Sequence, residues 1–203
     1  MSLVEKGVTA AEHVEGCLKV KEAGISCSVY IMPGLGGKEL SQEHALETAR
    51  VISAIEPDYV RLRTLEIFPS TPLGGMRGSG SFPEASEEDV VLELKTLIEN
   101  INCSTEVVSD SATNLLSVFG RTPQDKASML KVIDSYLELS AREKLEFSFG
   151  VRLNSFLGQY GSLSEDIYSL LLPHIEHNSI NIDNMNDLDI IFITKHILSK
   201  LMP

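Results

Sequence analysis

The chain has 203 residues, 43% hydrophobic and 23% charged, which is globular composition with length for one sizeable core plus an appendage, and it excludes a disordered chain. A formal charge of −12 excludes binding through a broad basic surface, because phosphate-backbone affinity comes largely from Lys and Arg; a small basic pocket remains compatible. No apolar run reaches the roughly 20 residues that span a bilayer, and no signal peptide is visible at the amino end, where residues 1–3 read as a cloning remnant.

In chain order, Thr9-Ala10-Ala11-Glu12 has capping-box spacing and opens a helix whose apolar face is Ala11, Val14, Cys17 and Leu18, stopped at Gly24. Ser26 to Met32 is a mostly apolar, β-prone run that reads as a strand buried on both faces, and it breaks into Pro33-Gly34-Leu35-Gly36-Gly37. Glycines at the carboxyl end of such a strand let backbone groups approach a ligand, so the site is expected here. Ser41 then caps a second helix with Ala45, Ala49, Ile52 and Ile55 inward, ended by Glu56-Pro57. Asp58 to Phe68 is a second strand. Helix, strand, helix, strand with short connections predicts parallel strands and right-handed crossovers, with Gly34 and Ser70 emerging at the same end of the sheet.

Residues Pro69 to Ala85 are seventeen positions dense in Gly, Ser and Pro, expected to be a mobile, unstructured lid. Ser86 restarts a helix through Val91, Leu94, Ile98 and Ile101, and Cys103 to Val108 is a third strand. From about Thr122 the texture becomes helical. Thr122-Pro123 opens a helix with Met129, Leu130, Ile133 and Leu137, and Ser140-x-x-Glu143 caps another. Leu145 to Leu153 alternates with period two and is ambiguous between strand and helix. Ser162-x-x-Glu165 opens a helix ended near Pro173, and Leu188 to Met202 is a last helix with Ile191, Leu198 and Leu201 on one side. The predicted domains are residues 4–120 and a mainly helical extension, 121–203.

Several motifs fail their own chemistry. For a phosphate loop, Gly37-Lys38 supplies the GK pair, but Glu39 stands in place of the Mg²⁺-binding hydroxyl and Met32 in place of the first glycine. For G-x-G-x-x-G, Gly34 and Gly36 fit, but Glu39 occupies the third position and its carboxylate repels a pyrophosphate. His174 and His177 have metal-ligand spacing without a third ligand, and His13 and His44 fall in helix-opening turns where polar surface residues are ordinary. Cys17, Cys27 and Cys103 lack the C-x-x-C rhythm of zinc or redox sites and read as free thiols in a reducing cytoplasm. Arg61 and Arg63 share one face of their strand, so they need acidic partners, Glu66 or neighbours, or an anionic ligand; both readings stay open.

The run KGVTAAEHVEGCLKVKEAGISCSVYIMPGLGG, followed by EPDYVRLRTLEIFPSTPL, resembles the latter half of a radical S-adenosylmethionine (SAM) domain, in the branch of coproporphyrinogen-oxidase-like and Elongator-catalytic-subunit-like iron–sulfur oxidoreductases. The resemblance covers roughly Lys6 to Asn114 and implies a fragment of a partial (β/α)6 TIM-like barrel, α/β with parallel strands, carrying a helical carboxyl-terminal extension. It implies that Met32, Pro33, Gly34, Leu35 and Gly36 line adenosine through backbone groups. It also implies that Arg61 and Arg63 point into the barrel toward a carboxylate of SAM or of an unknown substrate. The family's small-Thr-x-Leu pattern is matched by Ser70-Thr71-Pro72-Leu73, whereas Met32 replaces its Ile. The hallmark C-x-x-x-C-x-x-C is absent, so the [4Fe–4S] cluster and SAM chemistry belong to a parent protein and no cofactor is expected in this chain.

The leading expectation is therefore the carboxyl-terminal portion of a radical SAM enzyme that forms a 5′-deoxyadenosyl radical, cytoplasmic and inactive by itself. The alternatives are a non-catalytic acidic α/β interaction module whose glycines serve only turns, and a metal-free nucleotide binder. With the fourth strand of the barrel missing, the edge of Ser26 to Met32 is expected to self-associate.

Overall fold

The computed structural model describes residues 7–201, in two compact units that divide between Leu137 and Glu138. Residues 1–3, the start of the resemblance at Lys6, and Met202 lie outside the described residues. The first unit is α/β. In it follow α1 (Ala10–Glu22), β1 (Ser28–Ile31), α2 (Ser41–Ile55), β2 (Tyr59–Leu62), α3 (Pro72–Gly78), α4 (Glu87–Asn100), β3 (Thr105–Val108), β4 (Phe119–Thr122) and α5 (Lys126–Leu137).

The strands form one sheet in the order β1-β2-β3-β4. β1 pairs parallel with β2, Val29 opposite Val60 and Tyr30 opposite Arg61, and β2 pairs parallel with β3. The expected parallel βαβ units are present, and the loops after β1 and β2 leave at one end. β4 corrects the all-parallel expectation: it runs antiparallel to β3, Thr105 opposite Thr122 and Val108 opposite Phe119. Its four residues, Phe-Gly-Arg-Thr, carry little strand signal. Thr122 therefore does not open a helix. Its hydroxyl is buried and donates to the Cys103 carbonyl at 2.6 Å, and α5 starts only at Lys126, after a cis Thr122-Pro123 peptide.

One face of the sheet carries Val60, Leu62 and Val107, all buried, and meets Ala45, Ala49, Ile52 and Ile55 of α2 and Val91, Leu94, Leu97 and Ile98 of α4. Leu97 apart, these are the inward positions the helical periodicity named, and Ile101, the remaining one, is buried just past the end of α4. The opposite face carries Ser28, Tyr30, Tyr59, Arg61, Glu106, Val108, Phe119 and Arg121, none of them buried. Tyr30 is 61% exposed and Phe119 52%. The first strand is thus not buried on both faces: it is an edge strand, helices cover one side only, and along it only Cys27, just before its start, is buried.

Two further expectations change. α1 has its capping box, Thr9 with Glu12, and a left-handed Gly24 beyond its end, yet none of its residues is buried. The seventeen residues from Pro69 contain α3, capped by the Thr71 hydroxyl, followed by a buried Phe82. The seven-residue α3 forms because Pro72 sits at its first turn and Gly74 permits close approach: a Cβ there lies 2.2 Å from the Phe68 carbonyl oxygen. An unstructured lid is not what this segment forms.

The second unit comprises α6 (Ala141–Tyr160), α7 (Glu165–Leu171), a two-residue hairpin of β5 (Ile175–Glu176) and β6 (Ser179–Ile180), and α8 (Asp187–Lys200). Ser140 and Glu143 form the expected capping box, and the ambiguous Leu145 to Leu153 lies within α6 as helix. Ser164, not Ser162, precedes α7, which a 3-10 turn through Pro173 ends. α8 buries Ile190, Ile193, Thr194 and Ile197; of the expected side, Leu201 just after the helix is buried, whereas Ile191 and Leu198 are only partly so. Arg142 ties the start of α6 to the segment before α8, bonding the Ile182 and Met185 carbonyls and Asp187. No described helix is long and apolar enough to cross a membrane.

Candidate functional site

The carboxyl ends of β1, β2 and β3 gather residues 32–40, 63–71 and 109–118, the sheet end where α/β folds place ligands. Each loop is held by a side chain that the strand ladder does not supply. The loop after β1 is held by Glu93 of α4, only 3% exposed. Its carboxylate accepts the Gly34 N–H at 3.1 and 3.2 Å and the Ser41 hydroxyl at 3.0 Å, and His44 Nδ1 lies 2.8 Å away. Ser41 thus does not cap α2; its hydroxyl is turned to Glu93, and Leu40 precedes the helix without a side-chain cap. The small cavity between Ile31, Pro33, His44, Ala45 and Glu93 has room for no more than about one water.

The glycines of this loop have packing reasons. Gly34 and Gly37 have φ of +92° and +60°, which L side chains avoid. A Cβ on Gly36 would sit 2.8 Å from the Leu40 carbonyl oxygen, and one on Gly37 2.8 Å from that of Pro83. The Leu35 N–H donates to Met32, the Gly37 N–H to Gly34 and the Leu65 N–H to Pro33. Hence the backbone N–H groups of Gly34, Leu35 and Gly37 are engaged within the protein, and Met32 presents an exposed side chain at the open face.

The second strand is expected from Asp58 to Phe68, but β2 ends at Leu62 and its register with β3 at Arg61, and Asn114 shows why. Along β2 the groups facing β3 alternate, with the Glu106 N–H donating to the Asp58 carbonyl. Four residues further along each strand, a peptide of β3 would bond the Leu62 carbonyl and the Thr64 N–H. The chain turns away at Ser109, and the Asn114 side-chain amide takes that peptide's place. Its Nδ2 donates to the Leu62 carbonyl at 3.0 Å, and its Oδ1 accepts the Thr64 N–H and hydroxyl, both at 3.0 Å. The same Nδ2 donates to the Ser109 hydroxyl at 2.9 Å, which in turn donates to the Leu116 carbonyl.

The displaced loop delivers Asp110 to the open face of the sheet. Arg61 Nη1 donates to Asp110 Oδ2 at 2.5 Å and Arg63 Nη1 to Asp110 Oδ1 at 2.7 Å. The two arginines are brought together as the strand period requires, and the acid that meets them is Asp110. Arg61 also lies 5.9 Å from the Tyr59 ring centroid, and Arg63 5.2 Å from that of Tyr30. Two guanidinium groups against one carboxylate leave a positive charge, with further N–H donors on each arginine, at the carboxyl end of three parallel strands.

The hydrogen bond from Arg63, with the charge of both arginines, holds the Asp110 carboxyl below the usual carboxylate range. A depressed folded-state value means that the unfolded chain binds the proton more tightly. Asp110 then contributes stability above its unfolded value of about 3.9, lost as the pH falls through the folded one. Urea unfolding of the wild type and of Asp110→Asn at a series of pH values is expected to show a gap that is constant at neutral pH and closes below about pH 4. A gap independent of pH down to acid would contradict the pairing.

The other candidates lie elsewhere. His174 Nδ1 lies 3.0 Å from Asn184 Oδ1, and His177 has φ of +50° in the β5–β6 turn. Among the described residues, no three His, Cys, Asp or Glu side chains are placed to hold a metal ion. The thiols do not fit a [4Fe–4S] cluster: Cys27 and Cys103 are buried just before β1 and β3, at the sheet end opposite the arginines. Burial pushes the Cys27 thiol up to about 11, so it stays protonated where a cluster ligand must be a thiolate.

Sequence reasoning did not single out Glu93, Asp110 or Asn114. Glu93 was readable in principle, because it lies four residues before buried Leu97 and so falls on the inward stripe of α4. Asp110 and Asn114 sit in an aperiodic loop with no pattern to mark them. No protein-family model, curated protein or solved structure matches the chain.

Proposed function

We propose that the chain is the carboxyl-terminal portion of a radical SAM enzyme, its sheet a fragment of a partial (β/α)6 barrel and its cluster-binding half supplied elsewhere in the parent. The observation that carries the reading is a run of parallel strands with helices on one face and, on the uncovered face, Arg61 and Arg63 held toward the carboxyl end by Asp110. In that reading the uncovered face is the barrel interior, and the arginine pair takes a carboxylate of SAM or of the substrate. The parent's bound cofactor would supply the radical chemistry; this chain's part is to bind and orient. A cytoplasmic location accompanies it, since free thiols such as Cys27 and Cys103 persist there.

In the full-length parent, Arg61→Ala is expected to weaken SAM or substrate binding by about 1.5–3 kcal/mol, the loss of a charge-assisted hydrogen bond, with little change in melting temperature. Lost stability with unchanged affinity makes Arg61 structural. A parent sequence without three closely spaced upstream cysteines ends the catalytic reading.

A second reading, a non-catalytic interaction module, is favoured by the loop glycines, whose close neighbours at Gly36 and Gly37 are the protein's own backbone. Self-association through the open β1 edge is compatible with either.

A further inference from the structure

The amino-terminal side of the sheet combines two unpartnered features. Among the described residues, β1 pairs on one side only, with β2. The Tyr59 N–H donates to the Cys27 carbonyl and the Arg63 N–H to that of Ile31, so residues 27, 29 and 31 turn their backbone groups toward β2. By strand alternation Ser28 and Tyr30 turn theirs to the open edge. α1 leads into this edge and packs against α2, with its Cys17 thiol against that of Cys27 just before β1. Lys21 fixes its end to the carbonyls of Ile55 and Glu56 at the end of α2. None of its residues is buried, and Leu18, Val20, Ile25 and Tyr30 are exposed apolar side chains on α1, the following turn and β1.

We propose that a second copy of this chain covers the β1 edge, antiparallel, about a two-fold axis through Val29. This inference is independent of the radical SAM reading and gives the self-association its register. With the axis at Val29, Ser28 faces the second copy's Tyr30 and Tyr30 faces its Ser28. Both pairs are hydrogen-bonding pairs, so the four open N–H and C=O groups on each side find partners. Val29 meets the second copy's Val29 as a non-hydrogen-bonded pair. The strand residues Ser28, Val29, Tyr30 and Ile31 carry no charge, so two chains of −12 meet where neither presents a like charge on the strand. An axis perpendicular to the sheet keeps both helix layers on one side, which brings the two α1 helices to the junction and gives their uncovered apolar positions a neighbour. A four-residue strand and one helix face fall short of the roughly 800 Å² per partner of a standard interface, so the association is concentration-dependent.

Sedimentation velocity of the whole chain, from low micromolar to near-millimolar concentration, tests this. The mass is expected to rise from 22.3 kDa toward twice that value. Tyr30→Pro removes an edge-facing N–H without touching the β1–β2 ladder, and is expected to stay at the single-chain mass. Register is read separately in a Cys17→Ser background, whose added substitutions leave the backbone hydrogen bonds in place. Under copper-phenanthroline oxidation, Val29→Cys is expected to give a covalent dimer, because opposed residues of a non-hydrogen-bonded pair have Cα atoms about 4.5 Å apart, and Tyr30→Cys is expected to give none. A single-chain mass at every concentration overturns the proposal. So does a dimer that Tyr30→Pro leaves unchanged, or cross-linking of Tyr30→Cys in preference to Val29→Cys.

Discussion

Replacing Glu93 by Leu is expected to lower stability by on the order of 3 kcal/mol and to release the loop after β1. The carboxylate is the acceptor for the buried Gly34 N–H and for the Ser41 hydroxyl, and it faces His44. Leucine fills the volume but accepts nothing. A buried donor stranded without a partner costs about 1–3 kcal/mol, and the Gly34 amide lies where water does not reach it. Ser41 and His44 are partly exposed and recover some of their loss by bonding water. At about 2–4 °C per kcal/mol for a chain of this size, the melting temperature is expected to fall by roughly 6–12 °C. Glu93→Gln keeps one acceptor oxygen and should fall between the two. Because the chain has two compact units, amide exchange at Gly34 is the sharper readout. Its protection should drop in Glu93→Leu while that of Ile193 in α8 is unchanged. Equal protection of Gly34 in wild type and Glu93→Leu would contradict the role assigned here.

The elements that were legible in the sequence are those whose signal is local. The capping boxes at Thr9 and Ser140, the helix start at Ser86 and the apolar stripes of α2 and α4 fix helices through interactions within four residues and are present, whereas the caps expected from Ser41 and Ser162 are not. The parallel pairing of β1 with β2 followed from connection length and handedness, which are also local. What was not legible depends on partners distant in sequence. The Ser26 to Met32 run looks like a doubly covered strand because its residues are apolar, but coverage is decided by neighbours, and at an edge these are missing. β2 stops early because of Asn114, fifty residues beyond Thr64. Glu93 looks like one more charge in an acidic helix until the loop from Pro33 folds onto it. The site followed the same division: the strand period placed Arg61 and Arg63 together, but the acid that orients them comes from a loop without periodicity.

Asn114 is where that long-range dependence is most concentrated, and its substitution should cost as much as that of Glu93. Both donor hydrogens and the amide oxygen are used, to the Leu62 carbonyl, Ser109, and the N–H and hydroxyl of Thr64. Asn114→Ala strands the Thr64 N–H at the end of β2 and leaves the Leu62 carbonyl with Arg63 Nη1 alone, at 3.3 Å, at about 1–3 kcal/mol for each group left without a full partner. Asn114→Asp separates hydrogen bonding from size. At neutral pH its second oxygen would face the Leu62 carbonyl, acceptor against acceptor, and a buried charge would be added. That variant is expected to be at least as unstable as Asn114→Ala at pH 7. Protonation restores a donor, so the carboxyl introduced there has its folded value raised above the ordinary carboxylate. Its penalty is then full above that raised value and shrinks as the pH falls through it toward the unfolded value of about 3.9. Asn114→Ala has no such group and should show no regain. Because Ser109 and Asp110 are adjacent, both variants should also loosen the Arg61–Asp110–Arg63 cluster. Urea unfolding of the two variants between pH 7 and pH 4 decides the matter: parallel profiles would mean that the Asn114 amide does not stand in for a peptide of β3.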